Sequence, residues 1–253
     1  CSRFFHERVQ KFIKLLLLNP HSPLKQATNY VYRVEFQKRG SPHVHGLLWI
    51  NGAPKWGVNS REEIVDYIDS CISCSLDVSE ENKKYVKLQI HSHSNKTCLK
   101  RIGGRKVCRF GIPIFPMRRT MILDPLSSDD AVEKEIAMNN LEHIQLKMTK
   151  IPDHVQTFDE WLQFLDMSED DYIKAVCMSI QRPKIFLRRK PTEVLVNAYM
   201  KHFLGVWKAN HDVQFILDPY QCVCYICDYM TKSQKGMSEL LRIACEEAKA
   251  GNM

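Results

Sequence analysis

Residues 30–50, "YVYRVEFQKRGSPHVHGLLWI", constrain the fold more than any other stretch. Tyr30, Tyr32, Val34 and Phe36 alternate with more polar neighbours, which is the period of a strand with one buried face. "KRGSP" is turn chemistry, and "HVHGLLWI" resumes an apolar run, so the segment reads as a β-hairpin. His43 and His45, two apart on the return strand, point to the same face and present two imidazoles side by side. With 38–42 as the loop, Gln37 lies opposite His43 and Glu35 opposite His45, all four on one face. Two imidazoles with a carboxylate or amide oxygen suit Mg²⁺ or Mn²⁺ with positions left open for a phosphate. Standing alone, an H-x-H pair on a strand is more often a half-buried pair bonded to backbone. A zinc hydrolase of the H-x-H-x-D-H type is disfavoured, since Gly46, Leu47 and Leu48 follow with no acid to act as base.

The rest of the chain surrounds this hairpin with helices. Phe4, Phe5, Val9, Phe12, Leu15 and Leu16 predict a helix over 2–18 that "NPHSP" ends. Ser60 caps a helix carrying Ile64, Ile68 and Ile72 on one stripe, widened by Tyr67. Helices are also predicted over 129–149, 158–165, 168–180 and 192–209, the last opened by Thr192. "HDVQFILD" (211–218) reads as a short strand, helix returns after Pro219, and 236–250 is amphipathic. The 253 residues suffice for a sizeable core, and no run of about 18 apolar residues exists to span a membrane. The first residue is not Met, and the chain is expected to be a piece of something longer. The N-terminus does not read as a signal peptide, so ten cysteines point to a reducing interior rather than a disulfide framework.

A net charge of +7 and a pI near 8.8 fit a nucleic-acid partner, and the distribution says more than the total. Eight basic residues and no acid lie between Lys96 and Arg119, and "RPKIFLRRK" adds a second block, while acids gather in 129–135 and 158–171. Such runs are often only solvated surface; here they suggest a polyanion-facing side. Within the basic run, "HSHSNKTCLKRIGGRKVC" sets His91, His93, Cys98 and Cys108 within eighteen residues, which admits a Cys₂His₂ structural zinc site. Cys74, from the C-x-x-C pair Cys71/Cys74, would complete the set if only one histidine binds. The other reading has His91 and His93 touching phosphates. Residues 85–120 show little strand or helix periodicity and are expected to need a metal or a partner to order them. Cys222, Cys224 and Cys227 have a metal-like spacing but no further ligand nearby, and apolar packing is favoured for them.

"CYICDYMTK" (224–232) places Tyr225 and Tyr229 at i,i+4 on one helix face, with Lys232 beyond. Paired phenols are usually core-edge packing. The chemical reading is a nucleophile pair that attacks phosphodiesters and holds a 5′ phosphate covalently. A phenol of pKa near 10 then needs an activated electrophile, which a metal at the histidine pair would supply.

Taken together, "EFQKRGSPHVHGLLWI", "QIHSHSNKTC…CRFGIP", "VNAYMKHFLGVWKANHDVQFILDPY" and "YICDYMTK" resemble, in order, the Rep nuclease domain of Helitron rolling-circle transposases, a "Helitron helicase-like" domain of the HUH (His-hydrophobic-His) endonucleases. The resemblance runs over nearly the whole chain. It implies an α+β fold with a central antiparallel sheet flanked by helices and a Cys/His-rich zinc-binding-like insertion. The expected organisation is a single domain over 1–253, with the Cys/His-rich subdomain at about 71–120 and the tyrosine helix at about 220–232. His43-Val44-His45 matches the family motif, and Tyr225 and Tyr229 match the tyrosine pair; Tyr220 falls outside its spacing. The comparison with parvoviral Rep hairpins favours Gln37 over Glu35 as third metal ligand. The implied activity is nicking and transfer of single-stranded DNA in the nucleus, at transposon ends and targets, through a 5′-phosphotyrosine. Expected phosphate contacts are Lys38, Arg39 and Lys232, with Arg101, Arg105, Lys106 and Arg109, or Arg188 and Arg189, extending the groove. The family's Walker A loop and far N-terminal zinc-finger-like region are missing here, so unwinding is expected from a helicase domain in the full-length protein. The rivals are a domesticated DNA-binding module without cleavage and a zinc-ribbon interaction protein with a structural histidine pair.

Overall fold

A computed structural model describes residues 2–22, 24–36, 41–102, 104–220 and 222–223, without the side chains of Ser2 and Arg105. The chain divides into two compact units, Cys1–Ala53 with Asp218–Met253, and Pro54–Leu217. Among the described residues no helix is long and apolar enough to cross a membrane.

In the first unit, the predicted N-terminal helix is α1 (Ser2–Phe12), continued by a wider π-helical run over Ile13–Leu17. Val9, Ile13 and Leu17 recur every four residues and are its buried stripe. Asn19 ends it: its side-chain amide donates to the Leu15 carbonyl, and its oxygen accepts from the His21 amide. The two alternating runs pair as β1 (Ala27–Phe36) and β2 (Pro42–Ile50) in an antiparallel hairpin. The register differs by two residues from the expected one: Glu35 lies opposite His43, Arg33 opposite His45 and Phe36 opposite Pro42. A slip of two keeps every side chain on its face, which is why the faces are right and the partners are not. Tyr32 lies opposite Gly46 and its hydroxyl accepts from the Gln10 amide at 2.7 Å, tying α1 to the hairpin.

The second unit is mainly helical. Its largest core lies among α4 (Ala131–Lys147), α5 (Phe158–Leu165) and α6 (Glu169–Met178), where Trp161, Tyr172 and Ile144 are fully buried. α2 (Arg61–Cys71) and α5 each open with a reciprocal capping box, Ser60 with Glu63 and Thr157 with Glu160. Ile64, Ile68 and Ile72 form the expected buried stripe. Three short antiparallel pairs complete the unit. β3 (Ile72–Ser73) pairs with β8 (Tyr199–Met200), β4 (Leu99–Ile102) with β5 (Arg105–Cys108), and β6 (Met121–Leu123) with β7 (Lys184–Phe186). A short helix, α3 (Lys83–Val86), lies between β3 and β4, and α7 (Lys201–Trp207) follows β8.

The chain is therefore α+β with small antiparallel pairs. Among the described residues, strand pairing is spread over four two-stranded sheets rather than gathered in one central sheet. Two further expectations are corrected. The helix predicted over 192–209 exists only as α7, and residues 211–217 are not a strand. Arg189, 2% exposed, reaches the carbonyls of Glu193 and Val196, and the Glu193 carboxylate accepts from Ser75, Leu76 and Lys190. The Val194 and Leu195 carbonyls accept the Ile114 and His91 amides and the Asn197 amide donates to the Gln89 carbonyl, so backbone groups that a helix would use are spent on tertiary bonds. His211 is held through its own amide by the Gln89 side chain and through its ring by the Met200 amide, not by a partner strand.

Candidate functional site

Two donor clusters stand out, one in each unit. On the β1–β2 hairpin, Arg33, Glu35, His43 and His45 share one face. The His43 and His45 ring centres are 4.7 Å apart. The Glu35 carboxylate lies diagonally from His45, and its oxygen is 3.0 Å from the His45 Nε2. Loss of hydration and the neighbouring His45 lower the His43 pKa, with Glu35 pulling the other way, so the neutral imidazole that a metal needs is favoured. The face thus carries two imidazoles and a carboxylate. Glu35 contacts His45, and the three donors do not close on a single point as the second cluster does. Gln37, the alternative third ligand, lies outside the described residues, as do Lys38, Arg39, Lys232 and both tyrosines, Tyr225 and Tyr229. Of the predicted tyrosine helix, Pro219, Tyr220, Cys222 and Val223 are described, and they are helical.

The second cluster brings together His91, His93, Cys98 and Cys108, with one donor atom from each lying within 4.8 Å of all the others. Among the described residues it is the only such group of three or more His, Cys, Asp or Glu donors. Tetrahedral zinc with two sulfurs and two nitrogens sets its ligand atoms about 3.3–3.8 Å apart. The Cys98 Sγ to His93 Nδ1 distance is 3.7 Å and Cys108 Sγ to His91 Nε2 is 3.6 Å. The donor set fits zinc in type, and these two Cys–His pairs fit it in spacing, within a group whose donors span up to 4.8 Å. Both thiols are buried, at 1% and 6% exposure, and no disulfide joins them.

Local sequence builds this arrangement. Cys98 immediately precedes β4 and Cys108 ends β5, so the two thiols stand at the base of a four-residue-arm hairpin that pairs Leu99 with Cys108. Gly104, at φ +80°, serves the tight connection at the other end. Ser94 turns the chain before β4: its carbonyl accepts the amides of Thr97, Cys98 and Leu99. The Ser94 amide donates to the Cys98 sulfur at 3.1 Å, which fixes the position of that sulfur. This contact was not anticipated, although "SNKTC" is a recognisable polar turn ahead of a cysteine. His91 is fixed by its amide bond to the Leu195 carbonyl, and burial together with His93 lowers its pKa, favouring the neutral ligand form. Both histidines face cysteines, so the two-histidine version of the site is the one assembled. Cys74 takes no part. It is 1% exposed, packs with Val86, Val196, Tyr199 and Leu204, and donates to the Arg188 carbonyl; burial pushes its pKa up to about 11.

Of the basic residues proposed to meet DNA, Arg101, Lys106 and Arg109 are exposed on or beside the β4–β5 hairpin; Arg105 lies in β5. Two other arginines from the basic blocks are committed elsewhere. Arg118 bridges Asp159 and Glu169 at 2.6 and 2.8 Å, joining the basic run to the acidic one, and Arg189 is the buried carbonyl ligand described above.

Residues 1–48 match the family model described as the Helitron helicase-like domain at the N-terminus. The matched segment is 48 of 253 residues and contains α1, β1 and β2 as far as Leu48, including Glu35, His43 and His45. No curated protein and no solved structure gives a match.

Proposed function

We propose that this protein acts in Helitron-type transposition as a metal-dependent endonuclease and strand transferase for single-stranded DNA. The observation that carries the reading is the face Glu35–His43–His45, which lies inside the segment matching the Helitron helicase-like family. On this reading the hairpin belongs to an antiparallel sheet of the Rep nuclease type, and His43, His45 and Glu35 or Gln37 hold Mg²⁺ or Mn²⁺. Such an ion, when bound, withdraws charge from the scissile phosphate. Glu35 orients the His45 ring through its Nε2 contact. Lys38, Arg39 and Lys232 hold the flanking phosphates.

Tyr225 or Tyr229 supplies the nucleophile. Its phenolic oxygen bonds to phosphorus as the bond to the 3′ oxygen breaks; the phenol proton leaves to solvent and the departing oxygen takes one up. The products are a 5′-phosphotyrosine and a 3′-hydroxyl, and reversal by that or another hydroxyl reseals or transfers the strand. Unwinding is assigned to a helicase domain of the full-length protein, and the site of action to the nucleus.

The test is a labelled single-stranded oligonucleotide mixed with the protein and Mn²⁺, followed by denaturing electrophoresis. The expected result is a denaturation-resistant protein–DNA adduct that disappears with His43→Ala. DNA binding without any adduct would instead identify a module that has lost cleavage.

A further inference from the structure

The Cys/His cluster sits at the base of the basic β4–β5 hairpin. We propose that β4–β5 is a metal-clasped finger, held by zinc on His91, His93, Cys98 and Cys108, that grips the sugar–phosphate backbone of single-stranded DNA. That the strand is single-stranded DNA rests on the function proposed above; the clasp and the polyanion grip rest on the geometry alone.

Zinc at this position would join three pieces of chain. Cys98 and Cys108 tie the two strands of the hairpin together, and the histidines tie both to the 90–93 segment. That segment is itself anchored, since Ile90 bridges Val196 and the His91 amide bonds to Leu195. Apolar support is small, with Ile112 buried beside the two cysteines and Leu99, Ile114 and Leu195 partly buried against them. A two-stranded hairpin with so small a base is marginal in water without a further tie.

What the clasp presents is cationic. Lys100, Arg101 and Lys106 project from the hairpin and Arg109 follows it, all exposed, with no acid between residues 96 and 119. None of the four has an ion-pair partner among the described residues, whereas Arg118 of the same run has two. Lys106 is held by the Asn95 side chain at 3.0 Å, so it is positioned without being neutralised. Beside these charges Phe110 is 56% exposed, with the Arg109 guanidinium 4.5 Å from its ring centre and His91 edge-on at 5.8 Å. A solvent-facing ring next to a row of unpaired cations is the combination that unstacked bases and their phosphates recognise.

The experiment uses the whole protein carrying Tyr225→Phe and Tyr229→Phe, without Mg²⁺ or Mn²⁺, so that covalent chemistry cannot contribute. Failure of the nuclease reading would leave this measurement intact. Zinc content is read by elemental mass spectrometry and affinity for labelled oligothymidylate by fluorescence anisotropy across a salt series. We expect a single zinc ion per chain. The combined variant Lys100→Ala, Arg101→Ala, Lys106→Ala should keep the zinc, bind on the order of tenfold more weakly, and reduce the salt slope by about 2. Cys98→Ser with Cys108→Ser should lose both zinc and the same part of the affinity; should it fail to fold, the lysine–arginine variant still decides. Absence of zinc, or unchanged affinity and salt slope in that variant, would overturn the proposal. Equal or tighter binding of duplex, lost in the same variant, would overturn the single-strand assignment.

Discussion

Removing zinc should unfasten one hairpin and leave the helical core standing. The base of β4–β5 buries Cys98, Cys108 and Ile112, with Leu99, Ile114 and Leu195 partly buried against them, an apolar burial of about 3–6 kcal/mol. Ordering eight strand residues costs about 1 kcal/mol or more each, which hydrogen bonds offset only in part. The metal-free hairpin should therefore open with a free energy near zero. Zinc present at 1,000 times its dissociation constant adds about 4 kcal/mol, roughly a thousandfold in amide protection. The assay is native-state hydrogen exchange with and without a zinc chelator. The Arg109 amide, bonded to the Cys98 carbonyl at 2.8 Å, and the Leu99 amide, bonded to Ser94, should lose protection. The Trp161 amide, bonded to Thr157 in the helical core, should not change. Equal protection at Arg109 in both conditions would refute the reasoning, because the hairpin would then be held by something other than the four ligands.

Three more outcomes follow from the same structure. Trp161→Ala empties the centre of the largest core and should cost about 3–5 kcal/mol, lowering the thermal midpoint by on the order of 10 °C in a melting scan. His211 is half-buried with Nε2 accepting from the Met200 amide, and this partial burial lowers its pKa. The unfolded chain therefore binds the proton first, so stability is complete above about pH 6.5 and falls as pH drops toward the folded-state pKa, by up to about 1.4 kcal/mol per pH unit. Asp212, whose pKa burial raises, works in the opposite sense at lower pH, so the comparison is with His211→Gln, whose denaturant midpoint should fall less between about pH 7 and pH 6. Finally, Glu35→Ala should raise the Mn²⁺ concentration needed for half-maximal adduct about 10–100-fold, as loss of a group that orients a ligand does. An effect of that size from Gln37→Ala and none from Glu35→Ala would assign the third ligand to Gln37.

Local chemistry made much of this legible from sequence. Ser60 announces the helix that starts at Arg61, and the period-two pattern of 30–50 marks the hairpin and its faces. What sequence could not convey was decided at a distance. Alternation sets faces but not register, so Glu35 was placed opposite His45 when it stands opposite His43 and reaches His45 along the diagonal. The 192–209 stretch has helical periodicity, but the Val194 and Leu195 carbonyls and the Asn197 amide bond to Ile114, His91 and Gln89 instead. The Cys/His residues were recognisable by type. That both histidines join, and Cys74 does not, depended on how residues 91–93 dock beside Leu195 and on Cys74 turning toward the Arg188 carbonyl.

In the proposed reaction a tyrosine of this chain becomes covalently joined to DNA. The most direct measurement is peptide mass spectrometry of the denaturation-resistant product formed with single-stranded DNA and Mn²⁺. The expected product is a nucleotide-bearing peptide whose modification lies on Tyr225 or Tyr229 and vanishes when both are phenylalanine. An adduct on any other residue, or DNA cut with no covalent product, would contradict it.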